Sequence, residues 1–431
     1  MCGFVAYVGN KPYGMGQASY TLRHRGPDAA EAWMSPEAQC GISHNRLAIL
    51  DLDERANQPM TSPDGRYTIA LNGEIYNYLE LKAELGGDWH TKSDTEVLLR
   101  TYAKWGKDCL PRLIGMFAFV IWDDAKKILF AARDRFGKKP LFYHANGPDI
   151  WIASEIKALH KPGVPKTLNE ITWATYLATG NLDTGYATFW KDIERLPPGH
   201  SMTIKGPFKV QTERWYDPGE GVETDVRDDE MVHRDLCGIL DDSVEVRFRS
   251  DVPVGVCLSG GVDSSLLLAL IRRQGHEVPG YSFWCDDSEY DEIPWVKAMQ
   301  PDAHFALLTP GMVPELALEM FSYQDEPYGG IPTLGMAKVF EQAQKDGVKV
   351  LLDGQGMDEG WAGYDWMTGK NGGSPSVLPE CLNPDFRSLA RRFSQSKGLR
   401  AKQLNDLTGS KIPRATRFND RASMMHSVEV C

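Results

Sequence analysis

At 431 residues, 42% hydrophobic and 25% charged, the sequence has room for two substantial cores and the composition of a soluble globular protein. Forty-seven basic against 59 acidic residues give a net charge of −12 without a long basic run, which argues against a nucleic-acid surface. No apolar run approaches a membrane span and no charged-then-apolar leader opens the chain. Eight scattered cysteines (2, 40, 109, 237, 257, 285, 381 and 431) form neither a CxxC pair nor a disulfide framework, so the expected setting is cytosolic with reduced thiols.

Met-Cys-Gly opens the chain ahead of a short apolar strand from Phe4 to Val8. Trimming of the initiator methionine would leave Cys2 with a free α-amine beside its thiol. An α-amine titrates near ~8 and a thiol near ~8.5, so the amine can take the thiol proton without a histidine. The alternative is a small buried residue at a strand end.

Four further stretches bear on that choice. RHRGPD (23–28) reads as a basic loop closing a short helix. SHNRLAILD (43–51) presents Arg46 at the head of an apolar strand. IALNGEIYN (69–77) carries Asn72-Gly73, which by itself reads equally as a hairpin turn. SDTE (93–96) opens a helix running to about Trp105, with Ser93 and Glu96 spaced as a capping box and Asp94 in the first turn.

Together with Cys2, FAFVIWD (117–123) and ARDRFGKKPLFY (132–143), these stretches resemble the glutaminase domain of class II, N-terminal-nucleophile glutamine amidotransferases over about the first 200 residues. The resemblance implies an αββα sandwich with Cys2 as nucleophile and its own amine as base. It implies an oxyanion hole from Asn72 and the Gly73 N–H. The glutamine site would comprise Arg46, Leu47, Ala48, Ile49 and Leu50 with Asn72, Gly73, Glu74 and Asp94. Arg46 would take the α-carboxylate, and Glu74 and Asp94 would lie near the α-amine. The chemistry agrees, since amide attack builds an alkoxide that needs fixed donors and an amino acid needs one charge of each sign. The Arg- and Lys-rich run 125–143 alternates with Phe130, Phe136 and Phe142, as strands and a turn of the same domain would.

A Pro- and Gly-punctuated polar stretch, 206–228, reads as the linker between a domain at 1–205 and one at 229–431. From Asp229 an amphipathic helix is predicted with Val232, Leu236, Ile239 and Leu240 on one face. VPVGVCLSGGVDSSLLL (252–268) then reads as a buried strand, a tight loop and a helix. Glycines 260 and 261 let the backbone approach an anion, and the helix start has unpartnered N–H groups. Ser259, Ser264 and Ser265 add hydroxyls, Asp263 can hold Mg²⁺, and the Walker lysine is missing. Strands at 280–284, 305–308 and 348–352 alternate with helices and argue a doubly wound parallel sheet with a nucleotide at the strand C-termini.

The last of these strands ends in DGQGMDEGWAGY (353–364). Paired with SGGVDSS, this loop resembles the ATP-pyrophosphatase-type synthetase domain of the glutamine-dependent asparagine synthetase family. The resemblance implies ATP bound by Leu258, Ser259, Gly260, Gly261, Asp263, Ser264, Ser265, Asp353, Gly354 and Gln355, with Ser282, Phe283 and Cys285 facing adenine. Asp263 and Asp358 would hold Mg²⁺. It implies a carboxylate acceptor, aspartate first, adenylated and then amidated by ammonia from glutamine, and a homodimer as the expected assembly. Two departures stand out. Gln355 and Met357 replace the Glu and Ser usual in the family, and a neutral amide cannot manage a proton as an acid can. The relatives' further helical region with a catalytic lysine has no counterpart before Cys431, so no lysine is given that role. The other readings are the same chemistry on a different carboxylate, or a glutaminase with a degenerate ATP-binding domain.

Overall fold

The computed structural model describes residues 2–10, 12–145, 149–182, 185–205, 209–285, 287, 291–364, 367, 378–391 and 398–431. In the N-terminal half, two six-stranded antiparallel sheets pack face to face. One runs Glu194–Arg195, Phe142–Ala145, Ile150–Ala153, Gly3–Val8, Cys40–Arg46, Ala29–Met34. The other runs Lys209–Arg214, His200–Lys205, Ile128–Arg133, Gly115–Asp123, Tyr67–Ile75, Met60–Thr61. Alternation within single strands builds the layers. Phe4, Ala6 and Val8 enter the core between the sheets with Ala118, Val120 and Trp122, whereas Val5 and Tyr7 face the helices Met15–Tyr20 and Ile156–Leu159. On the far side, Phe117, Phe119 and Ile121 pack under Tyr78–Leu85 and Asp94–Trp105. The result is the expected αββα sandwich. The second sheet extends to Arg214, inside the stretch read as linker.

Several local readings change. Asn72-Gly73 is no turn; it lies within the strand Tyr67–Ile75, opposite Ala118 and Phe117. Gly73 has φ of +155°, and a Cβ there would fall 2.2 Å from the Met116 carbonyl oxygen, so only glycine fits. Arg46 closes its strand instead of heading one. Ser93 does cap the Asp94–Trp105 helix through the Thr95 N–H at 3.1 Å, but Glu96 accepts from the Thr91 and His90 N–H groups, so the capping box is only half formed.

The C-terminal half holds a five-stranded parallel sheet ordered His304–Leu307, Gly280–Trp284, Val254–Cys257, Val350–Leu352, Glu429–Val430. Both faces are covered, as a parallel sheet requires. Val256, Val350 and Leu352 meet the helix Val262–Arg273, while Tyr281, Leu351 and Val430 meet Ile331–Lys345 and Lys411–Met424. The two-residue edge strand Glu429–Val430 was not foreseen, because two residues carry no period. The Asp229–Glu245 helix forms as predicted, but its predicted apolar face is only partly covered: Leu240 packs against the core and Val232 is half-buried. Ile239 is 65% exposed, Leu236 is also exposed, and Val244 is the one fully buried position.

The halves meet across buried charge. Arg25, read from sequence as part of a basic loop, is fully buried and makes a two-point contact with Asp420 at 2.8 and 2.9 Å. Its Nη1 also reaches Glu155 at 2.9 Å, and its Nε donates to the Cys2 carbonyl at 3.0 Å. Lys139 pairs with Glu429 and Arg421 with Glu155. All eight cysteines are free, and among the described residues no helix is long and apolar enough to cross a membrane.

Candidate active sites

The strands Gly3–Val8, Cys40–Arg46 and Tyr67–Ile75 and the start of the Asp94–Trp105 helix converge on one small cavity. Its wall contains Cys2, Arg46, Leu47, Ile49, Leu50, Gly73, Glu74 and Asp94 of the predicted set. The Cys2 Sγ donates to the Leu47 carbonyl at 3.9 Å. Burial pushes the thiol up from its ordinary value, with Arg46 among the groups acting the other way. Arg46 is braced by its own loop: Nη1 donates to the Asp53 carbonyl (3.0 Å) and Asn57 Oδ1 (2.8 Å), and Nη2 to the Leu50 and Asp51 carbonyls.

The two carboxylates differ. Asp94 accepts from the Ile75 N–H at 2.9 Å, yet burial raises it to about 6. Glu74 has one oxygen without a hydrogen-bond partner, and burial, with Glu429 and Asp94 adding, raises it to about 8. The Asn72 side chain lies just off the wall, fully buried, with neither its nitrogen nor its oxygen bonded. A buried amide left open in this way costs stability unless a ligand completes it. Ala48 is not on the wall; its N–H is held by Asp28 at 2.8 Å. Gln58 was missed. It lines the cavity, accepts from the Leu71 N–H at 2.6 Å and donates to Thr95 Oγ1 at 3.0 Å, and nothing in its local sequence marks it.

In the C-terminal half, Leu258, Ser259, Ser264, Ser282, Phe283, Asp353 and Gln355 line a cavity of about 290 Å³, closed on one side by Phe418 and Asn419. Gly260, Gly261, Asp263, Ser265, Cys285 and Gly354 are not on this wall. The loop hydroxyls tie the turn itself. Ser264 Oγ accepts from the Ser259 N–H (3.1 Å) and donates to the Ser259 carbonyl (2.7 Å), and Ser265 Oγ donates to the Gly261 carbonyl (2.7 Å). Gly354 packs against the first turn of the Val262–Arg273 helix, where a Cβ would come 3.2 Å from the Asp263 backbone. The two acid-bearing loops therefore touch. Burial and the charge of Asp358 both raise the Asp263 carboxyl. Two like charges this close fit a divalent cation between them. Among the described residues no set of three or more metal-binding side chains gathers, so the other ligands would come from phosphate and water.

A third cavity, about 270 Å³, lies between the halves. Asp353, Gln355 and Asn419 belong to both its wall and that of the cavity beside the Ser-Gly-Gly loop, while Lys138 and Lys139 reach it from the N-terminal half and Arg247 and Cys431 from the C-terminal one. Lys139 on its wall pairs with Glu429, whose charge also acts on Glu74 of the Cys2 cavity.

The sequence profile described as the glutamine amidotransferase domain matches residues 1–216, and the one described as asparagine synthase matches residues 235–430. An amidotransferase half is thus joined to a synthase half. The chain belongs to the glutamine-hydrolysing asparagine synthetase family. A Methanocaldococcus jannaschii protein assigned to that activity is 33% identical over 412 residues, 90% of this chain and 77% of its own length. Asparagine synthetase (glutamine-hydrolyzing) 1 of Bacillus subtilis is 30% identical over 381 residues, 85% of this chain and 59% of its own. Amidase chry2 of Gibberella zeae is 27% identical over 408 residues, 87% of this chain and 59% of its own. The chain thus spans less than two thirds of the length of two of these three relatives.

Proposed function

We propose that the protein is a glutamine-dependent amidotransferase that amidates a carboxylate at the cost of ATP, with aspartate as the leading acceptor. The observation that carries this is the Cys2 cavity: a single thiol set among one guanidinium (Arg46) and two carboxylates (Glu74, Asp94), a charge pattern complementary to an amino acid. The Cys2 thiolate attacks the side-chain amide. Asn72 and the Gly73 N–H take the developing oxyanion, ammonia leaves, and water hydrolyses the thioester.

In the C-terminal half the acceptor carboxylate attacks the α-phosphate of ATP, giving an acyl adenylate and pyrophosphate. Ammonia then attacks the acyl carbon and AMP leaves. Asp263 and Asp358 would hold Mg²⁺, whose role when bound is to neutralise phosphate charge. Gln355 and the kinship with an amidase favour a second reading, the same steps on another acid. The test is pyrophosphate release with ATP, Mg²⁺, ammonium and a panel of carboxylates. Release with aspartate supports the first reading, release with another acid the second, and silence with glutaminase intact defeats both.

A further inference from the structure

Beyond Ile69, which pairs with Met60, the strand Tyr67–Ile75 is the bare edge of its sheet. A buried bare edge must find partners for its backbone groups elsewhere. The N–H groups that leave on this side belong to every second residue. That of Leu71 goes to Gln58 Oε1 at 2.6 Å, and that of Ile75 goes to Asp94 Oδ2 at 2.9 Å. Gly73 lies midway between them. Opposite it, Phe117 gives both backbone groups to Asp134, its N–H at 3.2 Å and its carbonyl at 2.8 Å. Alternation therefore turns the Gly73 N–H to the same side as those of Leu71 and Ile75, toward the Cys2 cavity whose wall Gly73 lines.

The two capping side chains are themselves joined. Gln58 Nε2 donates to Thr95 Oγ1 at 3.0 Å, and the Thr95 hydroxyl donates to Asp94 Oδ1 at 3.5 Å. A loop of hydrogen bonds thus leaves the strand at Leu71, crosses to the first turn of the Asp94–Trp105 helix and returns at Ile75, with Gly73 inside the span. The Gln58 amide can sit only one way round: a backbone N–H only donates, so the oxygen faces Leu71 and the nitrogen faces Thr95. His44 Nε2 donates to the Leu71 carbonyl at 3.0 Å, and burial, which lowers the ring to about 4, keeps it neutral. Both polar groups of Leu71, the residue before Asn72, are fixed by side chains instead of by a neighbouring strand. The two caps are not equally secured. Asp94 also accepts from Ser93 Oγ at 3.3 Å, so its place does not hang on Thr95. Gln58 is buried, and loss of its oxygen would open a buried N–H that the strand can relieve only by moving.

We infer that Gln58 is a positioning residue of the glutaminase site: through Leu71 it sets where Asn72 and the Gly73 N–H stand relative to Cys2. Resting on the glutaminase reading above, this adds to the oxyanion donors the side chain that aims them, supplied by a segment that no motif marks.

The test uses the full chain with Gln58→Met, which fills a similar volume without the amide, with Thr95→Val, and with the two combined. In Q58M the glutaminase kcat should fall at least about tenfold, because displaced donors lose much of their hold on the oxyanion, while the glutamine KM stays within about threefold. T95V should cost less, and the double variant should match Q58M within about twofold, since Thr95 reaches the donors only through Gln58. A kcat in Q58M within about twofold of the unaltered protein, a loss carried by KM alone, or losses that multiply in the double variant would each overturn the inference. Amide hydrogen exchange at Leu71 separates this inference from the reading it rests on. Faster exchange there in Q58M, with no glutamate formed by the unaltered protein, retains Gln58 as the holder of the strand and sinks the glutaminase. Exchange at Leu71 that is indifferent to residue 58 sinks the role of Gln58.

Discussion

The two candidate sites are built in opposite ways. Around Cys2 the groups come from the start and middle of buried strands and one helix start: Cys2, just ahead of Gly3–Val8, and Asn72, Glu74 and Asp94 are all under one tenth exposed, and the backbone at Gly73 admits no other residue. In the C-terminal half the corresponding groups sit on loops and helix starts after the strands of a parallel sheet, with Val262 80% exposed beside the Ser-Gly-Gly turn. The first arrangement suits a reaction whose donors must be fixed in advance; the second suits a large polyanion that approaches from outside. Substitutions should therefore act locally and severely in the first site, and through ligand charge in the second.

The largest expected effect is Cys2→Ala, which should abolish glutamine-dependent amide formation and leave synthesis from added ammonium, read by pyrophosphate release with each nitrogen source. Loss of both would mean that the sites are not separate. Asp263→Asn should reverse the pattern, stopping pyrophosphate release while glutamine hydrolysis continues; undiminished release would remove Asp263 from the mechanism. Asn72→Ala comes next. One oxyanion donor is worth roughly 10² to 10³ in kcat, so glutaminase kcat should fall by about that much with little change in KM. A KM effect alone would mean that Asn72 only binds substrate.

The mildest prediction concerns pH. Glu74 must ionise to meet an α-ammonium, and its burial raises it from 4.5 to about 8. The glutamine KM should fall as pH rises from 6 to 8, and Glu74→Gln should flatten that slope. The same shift has a stability cost. Between 4.5 and about 8 the folded protein retains a proton that the unfolded chain has released, so stability declines as pH rises through that window. E74Q should abolish this decline in urea midpoints compared at pH 5 and 8.5; an unaltered decline would assign it to other groups.

What could be read from sequence followed the same contrast. The αββα sandwich and the parallel sheet were legible because alternation and glycine-bounded apolar runs are local signals, and the chemistry-bearing residues of the first cavity were legible through separated motifs. Ala48 and Gln58 exchanged places because which residue of an extended segment faces a cavity is decided by partners far away, Asp28 in one case and Leu71 with Thr95 in the other. The serines of the SGGVDSS loop were assigned to phosphates; that Ser264 and Ser265 also tie the loop to itself is a contact composition does not reveal. The partly uncovered face of the Asp229–Glu245 helix has a simpler reason: a hydrophobic period states that a face exists, without naming what covers it.

Arg25 has a thermodynamic consequence of its own. Its guanidinium spends two contacts on Asp420 and one on the carbonyl of Cys2, so the strand bearing the nucleophile is bolted to a helix nearly four hundred residues away. Removing one partner of a buried pair costs about 3–5 kcal/mol, a large share of the stability of an ordinary domain. The two halves should consequently melt in a single calorimetric transition, and amide exchange in Gly3–Val8 should report on the integrity of Lys411–Met424 as faithfully as on its own sheet.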